Sequence, residues 1–163
     1  NQYQNVSIVE SFSPLMKVDM TLNNSLIAKL EFKRSRTLTL NPSNNQIMET
    51  RSIEYIFGTG YTFKNVKFPI EFKPGQKIKS DFKTRADFSI RDNQTVVHRI
   101  IEDEHETTAG MYVFSIKLTG DYKINKQLTL RAFYDRILNR PKMSNTFLNA
   151  NANFGVALRF TLS

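Results

Sequence analysis

Apolar and polar residues alternate along most of this chain with a period of two. From Asn153 onward, Phe154, Val156, Leu158, Phe160 and Leu162 fall on one side, and Asn153, Gly155, Ala157, Arg159, Thr161 and Ser163 on the other. Successive side chains of a β-strand point to opposite faces, so the stretch predicts a strand with one apolar face. Six further stretches repeat the pattern. Met16 to Leu22 alternates against Lys17, Asp19 and Thr21, and after Asn23-Asn24, a pair suited to a tight turn, Leu26, Ala28, Leu30 and Phe32 oppose Ile27, Lys29, Glu31 and Lys33. A third strand sets Ile53, Tyr55, Phe57, Tyr61 and Phe63 against Ser52, Glu54, Gly58, Gly60 and Thr62, and a fourth sets Phe82, Ala86, Phe88 and Ile90 against Asp81, Lys83, Arg85, Asp87, Ser89 and Arg91. Tyr112 to Tyr122 and Leu128 to Tyr134 supply the fifth and sixth.

About seven strands and no helical period predict an all-β fold. Residues 1–13 read as a lead, either loop or fraying strand, and 14–163 as the strands, with links at 41–45, 64–77 and around Pro141 and with 92–108 either irregular or a hairpin extension. Arg34 and Arg36 interrupt the apolar face of the second strand. On the lipid side of a membrane barrel a midplane Arg costs roughly 2–4 kcal/mol, so the strand is expected to leave the apolar layer there.

The pattern fits two solvents. A soluble sheet with one covered face alternates in this way, and so does a transmembrane β-barrel. Link lengths favour the barrel: the turns after Leu22 and Tyr122 are short and the links after Leu40, Ile90 and Asp135 longer, although 64–77 departs from the rule. Aromatics add a length. Tyr112 and Tyr122 bracket a strand of roughly 25 Å at a tilt near ~40°, the height of a lipid-facing band. Under this reading Phe32, Tyr61, Phe63, Phe82, Phe88, Tyr112, Phe114, Tyr122, Tyr134, Phe154 and Phe160 face lipid. Lys29, Glu31, Lys33, Glu54, Lys83, Arg85, Asp87, Arg91, Lys117, Asp121, Arg131, Asp135 and Arg159 face the lumen. Mixed signs make a wet wall rather than the single-sign ring of an ion filter, and opposite charges can also lock strand register.

Composition agrees without deciding. No run approaches the ~20 apolar residues of a membrane helix. The absence of cysteine removes disulfides, thiolate catalysis and cysteine-type zinc sites. The net charge of +8 suggests an acidic partner, but Lys and Arg alternate with apolar residues and share their face with Asp and Glu, which argues against nucleic acid. A bacterial single-chain barrel has an even strand count, so seven strands imply a piece of a larger barrel, with one strand miscounted near Val6–Ser11 as the alternative.

Several strings carry a family likeness. Met20-Thr21-Leu22-Asn23-Asn24-Ser25-Leu26, Phe32-Lys33-Arg34-Ser35-Arg36, Ser89-Ile90-Arg91-Asp92-Asn93-Gln94-Thr95, Phe133-Tyr134-Asp135-Arg136 and Asn153-Phe154-Gly155-Val156 to Leu162 resemble the C-terminal region of the SprA/Sov family of Bacteroidota. The likeness runs from Phe12 to Ser163. It implies an antiparallel transmembrane β-barrel segment, the C-terminal part of a much larger barrel that serves type IX secretion and gliding motility as an outer-membrane translocon for folded cargo proteins. It further implies a PorV-type shuttle barrel and a plug protein as partners and a periplasmic C-terminus. The alternative is a soluble all-β binding or surface-adhesion domain.

Candidate chemistry is sparse, and neither a cofactor nor an enzymatic activity is expected. His98 and His105 flank the acidic run Glu102-Asp103-Glu104, with Glu106 beyond. Consecutive carboxylates on a loop diverge, and the spaced oxygens and turn glycine of a Ca²⁺ loop are missing, so a solvated loop is the expectation. Ser115 and Asp121 share a face, but no histidine accompanies them to complete a hydrolytic set.

Overall fold

The computed structural model describes residues 6–22, 25–67, 79–101, 104–125, 127–143 and 147–161. They form seven strands: β1 (Val6–Leu22), β2 (Leu26–Asn41), β3 (Gln46–Lys67), β4 (Lys79–Arg99), β5 (Glu104–Lys123), β6 (Leu128–Pro141) and β7 (Asn149–Phe160). Each pairs antiparallel with the next in chain order, giving one open up-and-down sheet in which β1 and β7 have a single neighbour each.

Residues opposite one another in an antiparallel ladder point to the same face, so the register tests the alternation directly. Leu30, Phe57, Phe88 and Ile116 form one continuous row, and Lys29, Gly58, Asp87, Lys117 and Asp135 another. Among the described residues every apolar position assigned from the sequence lies on the first face, and all thirteen charged positions on the second; Leu162 lies outside the described residues.

Strand lengths differ from expectation. β1 starts at Val6, so most of the presumed lead is strand, and Val6–Ser11 belongs to β1 rather than to an additional element. The 41–45 link is a turn after Asn41, whereas 92–108 is mostly strand and forms a hairpin extension. β3 already begins at Gln46, β4 continues to Arg99 and β5 begins at Glu104. Ladder hydrogen bonds continue where hydrophobic alternation stops, and a hydropathy pattern registers only the latter. Of the 64–77 link, Lys64–Lys67 lies in β3, and 68–78 falls outside the described residues.

Asn41 Oδ1 accepts the Ser43 N–H at 3.0 Å in the β2–β3 turn, and Asn125 Oδ1 accepts those of Gln127 and Leu128 at 2.8 and 2.7 Å in the β5–β6 turn. Asn23 and Asn24 fall outside the described residues, and beside them Ser25 takes a positive φ of 66°. Ile100 N–H donates to Asn45 O at 3.0 Å and ties two turns together. These lie at the end of the sheet termed upper here; the β1–β2 and β5–β6 turns mark the lower end.

A hydrophobic core is nearly absent. Among the described residues, Val96 and Tyr122 are the only buried hydrophobic ones, while Phe57, Phe88, Leu118, Phe154 and Phe160 are exposed. A single sheet has nothing to bury its apolar face against.

Candidate functional site: a two-faced wall

The apolar face is a bounded band. On β3 it runs from Ile53 to Phe63 and on β5 from Tyr112 to Tyr122, roughly 25 Å of height at a strand tilt near ~40°. Its lower margin is aromatic. Tyr61 and Phe63 rings meet edge-on at 4.6 Å, and Phe82 bridges Phe63 and Tyr122 at 6.2 and 6.5 Å. The Tyr122 hydroxyl donates to Val66 O at 2.9 Å, so its ring stays in the band while its polar tip is satisfied. Near the upper margin Phe32 and Tyr55 pair at 5.0 Å.

By register a row of bulky apolar residues runs level from Phe32 on β2 through Tyr55, Ile90 and Phe114 to Leu138 on β6, and only on β7, where Ala150 continues the row, does the uppermost bulky residue of this face, Phe154, lie four positions lower.

The polar face carries charge rows. Asp19, Lys29, Gly58, Asp87, Lys117 and Asp135 follow one another across six strands, and Lys33, Glu54 and Arg91 across three. Arg131 grips Asp121 with Nε at 2.6 Å and Nη2 at 2.9 Å, and Arg91 reaches Glu54 at 3.0 Å. Along single strands, Lys29 contacts Glu31 at 3.1 Å and Arg85 contacts Asp87 at 2.8 Å. A hollow of about 730 Å³ is lined by residues from Lys17 on β1 to Asp135 on β6, and one of about 430 Å³ opens on the apolar side between Tyr61 and Phe154. Phe133 shares the polar face with a few aliphatic residues, Ile27, Ile56, Val113 and Ile137. Its ring lies over Gly155, where a Cβ would come within 2.7 Å of the ring edge.

The structure also assembles a cluster that sequence reasoning missed. On the apolar-face side above the band, Glu49 accepts from Arg36 Nε at 2.7 Å and from His98 Nε2 at 2.9 Å, with Arg51 Nε at 3.5 Å. His98 Nδ1 meets His105 Nδ1 at 2.7 Å, a contact that holds one proton between two nitrogens. Glu49 retains 6% exposure. Burial pushes its carboxyl up, but the hydrogen bonds from His98 and Arg36 and the charge of Arg51 more than reverse this and hold it below the ordinary value.

The two histidines were legible as a pair and Arg36 as an interruption of an apolar face; Glu49, and the register across β2, β3 and β4 that joins them, left no sequence signal. His105 and Glu106 belong to β5 rather than to a loop, and Glu106 lies 3.7 Å from Arg99. Glu102 and Asp103 fall outside the described residues. Ser115 and Asp121 occupy the polar face and the histidines the other, so no hydrolytic constellation forms from them.

Fold and site define a class: an open all-β meander with one exposed apolar band and one charged face. No family model matches the chain, and no curated protein does either.

Proposed function

We propose that this sheet is a stretch of the wall of an outer-membrane β-barrel, lipid on its apolar face and an aqueous lumen on its charged face. The observation that carries this reading is the band of exposed apolar side chains on a sheet with almost no core among the described residues. In water such a band is a large uncovered patch, and in a bilayer it is a lipid contact of fitting height. The unpaired outer edges of β1 and β7 call for further strands, because a sheet edge inside a membrane leaves backbone groups unsatisfied.

Following the family likeness, the completed barrel is a type IX translocon of the SprA/Sov kind, passing folded cargo proteins to the cell surface with a PorV-type shuttle barrel and a plug as partners. The lower end then faces the periplasm. A wall of alternating, mutually paired charges supports this use: it stays hydrated and offers a passing protein few unsatisfied groups to grip.

Single cysteines carrying a fluorophore at Phe57, Phe88, Leu118 and Leu158, and at Lys29, Asp87, Lys117 and Arg131, test the reading in the assembled full-length polypeptide. Lipid-borne quenchers should reach the first set and aqueous quenchers the second. Recovery of a folded, water-soluble monomer with both sets aqueous would favour a soluble adhesion domain instead.

A further inference from the structure

On β1 the first charged side chain of the apolar face above the band is Glu10, two beyond Phe12 and opposite Arg36, and on β2, β3, β4 and β6 it appears at the same step. It is Arg34 on β2, two residues beyond Phe32; Arg51 on β3, two beyond Ile53; Asp92 on β4, two beyond Ile90; and Arg136 on β6, two beyond Tyr134. Asp92 is neutralised by Lys142 from the β6–β7 link, whose Nζ also sits 4.6 Å from the Tyr112 ring centre. Below this line, among the described strand residues, the face carries no charge at all.

The cations on this line are under-neutralised. Arg34 and Arg136 are exposed, and no ion pair among the described residues involves either. Arg51 shares Glu49 with Arg36, which holds the closer contact. Guanidinium groups that have no acidic partner among the described residues, as at Arg34 and Arg136, or share one, as at Arg51, match anions that lie in a plane just outside an apolar band. Arginine binds phosphate through two parallel N–H bonds, and a step of two residues is ~7 Å along the strand, or ~5 Å of height at a tilt near ~40°.

We infer that Arg34, Arg51 and Arg136 form a docking line for the phosphate groups of phosphorylated lipids in the leaflet at the upper end of the sheet. The inference rests on the membrane reading above and adds to it a ligand class and a polarity. Among the described residues the lower margin of this face is aromatic and uncharged, so the two leaflets are distinguished by this one face. Arg136 makes the argument specific: by register it is level with Phe57 and Phe88 in mid-band, and the ~35–45° inclination of strands in a membrane barrel is what carries it toward the edge.

The test uses the full-length polypeptide in lipid nanodiscs doped with a bis-phosphorylated glycolipid or its dephosphorylated counterpart, with bound lipid counted by native mass spectrometry. Wild type should retain the phosphorylated form preferentially. The triple variant R34Q/R51Q/R136Q should lose roughly 10²-fold in retention, about fivefold per arginine, and the polar-face variant K83Q/K117Q should lose none. Arg→Lys at the same three positions should recover part of the effect, and addition of inorganic phosphate to the buffer should not displace the lipid. Equal retention of the two lipids, or no change in the triple Gln variant, overturns the inference. Lipid quenching at Phe88 in the same nanodiscs separates the two failures, since its loss sinks the membrane reading itself, whereas its persistence alongside unchanged retention sinks the docking line alone.

Discussion

Ile56 and Phe57 are adjacent in β3 and face opposite solvents, which makes them a sharp test of the wall. Phe57 lies opposite Leu30 and Phe88 near the centre of the band and is 50% exposed, while Ile56 lies opposite Glu31 and Ser89 on the charged face. Phe57→Arg puts a guanidinium at mid-band, at a cost of roughly 2–4 kcal/mol, or about 30- to 900-fold in the unfolding equilibrium. Ile56→Arg adds a cation to a wet surface beside Glu31 and should change stability by no more than ~0.5 kcal/mol. Ile53→Arg, at the upper margin, should fall between them at ~0–1 kcal/mol because a long side chain reaches the interface there. The assay is denaturant unfolding of the lipid-embedded full-length polypeptide, read as a midpoint shift at constant slope. The gradient is the discriminating feature: a soluble sandwich also penalises a core arginine, but it has no reason to grade the penalty with distance from a mid-plane. A flat penalty from Ile53 to Phe57, or one at Ile56 matching that at Phe57, refutes the assignment.

Gly155→Ala drives a methyl into the Phe133 ring and should cost ~1–3 kcal/mol in the same assay, whereas in a Phe133→Ala background most of that cost should vanish. Glu49 gives a pH signature. Its folded value is depressed below the usual 4.5, so its contribution is present above 4.5 and is lost as pH falls through the lower folded value. Amide exchange at the upper ends of β2, β3 and β4 should therefore accelerate in that acidic window, and Glu49→Gln should show faster exchange at neutral pH with no further acid step.

The face of each strand was legible because a period of two survives wherever one side meets an apolar medium. Phe88 and Asp87 could be assigned with no knowledge of their partners. Strand ends were not legible. Thr95, Val97 and Arg99 stay in the ladder well past the last alternating residue, held by backbone bonds that leave no mark in side-chain polarity. Bulges hide the rest: the register shift after Thr95 carries His105 into opposition with His98, so a count of two along β5 does not find the pair. Glu49 and Arg36 come from other strands and meet it only once the register is known.

Register also explains why the charge rows serve structure and function together. In the row Asp19, Lys29, Gly58, Asp87, Lys117 and Asp135, neighbouring charges have opposite signs, so sliding a strand by two residues changes which charges oppose each other. Sliding one strand by a single residue is far worse, since it carries that strand's charges to the band face and its apolar set to the lumen. Cross-strand pairs in water are worth only ~0.2–1 kcal/mol each, so they select among even registers while the apolar band excludes the odd ones. Gly58 shows the limit of the row. A Cβ there would meet the Asp87 side chain, so the position must stay empty for Asp87 to occupy its place between strands. A wall that orders itself by weak, hydrated pairs keeps its charges mutually satisfied, and the same satisfaction leaves little for cargo to bind.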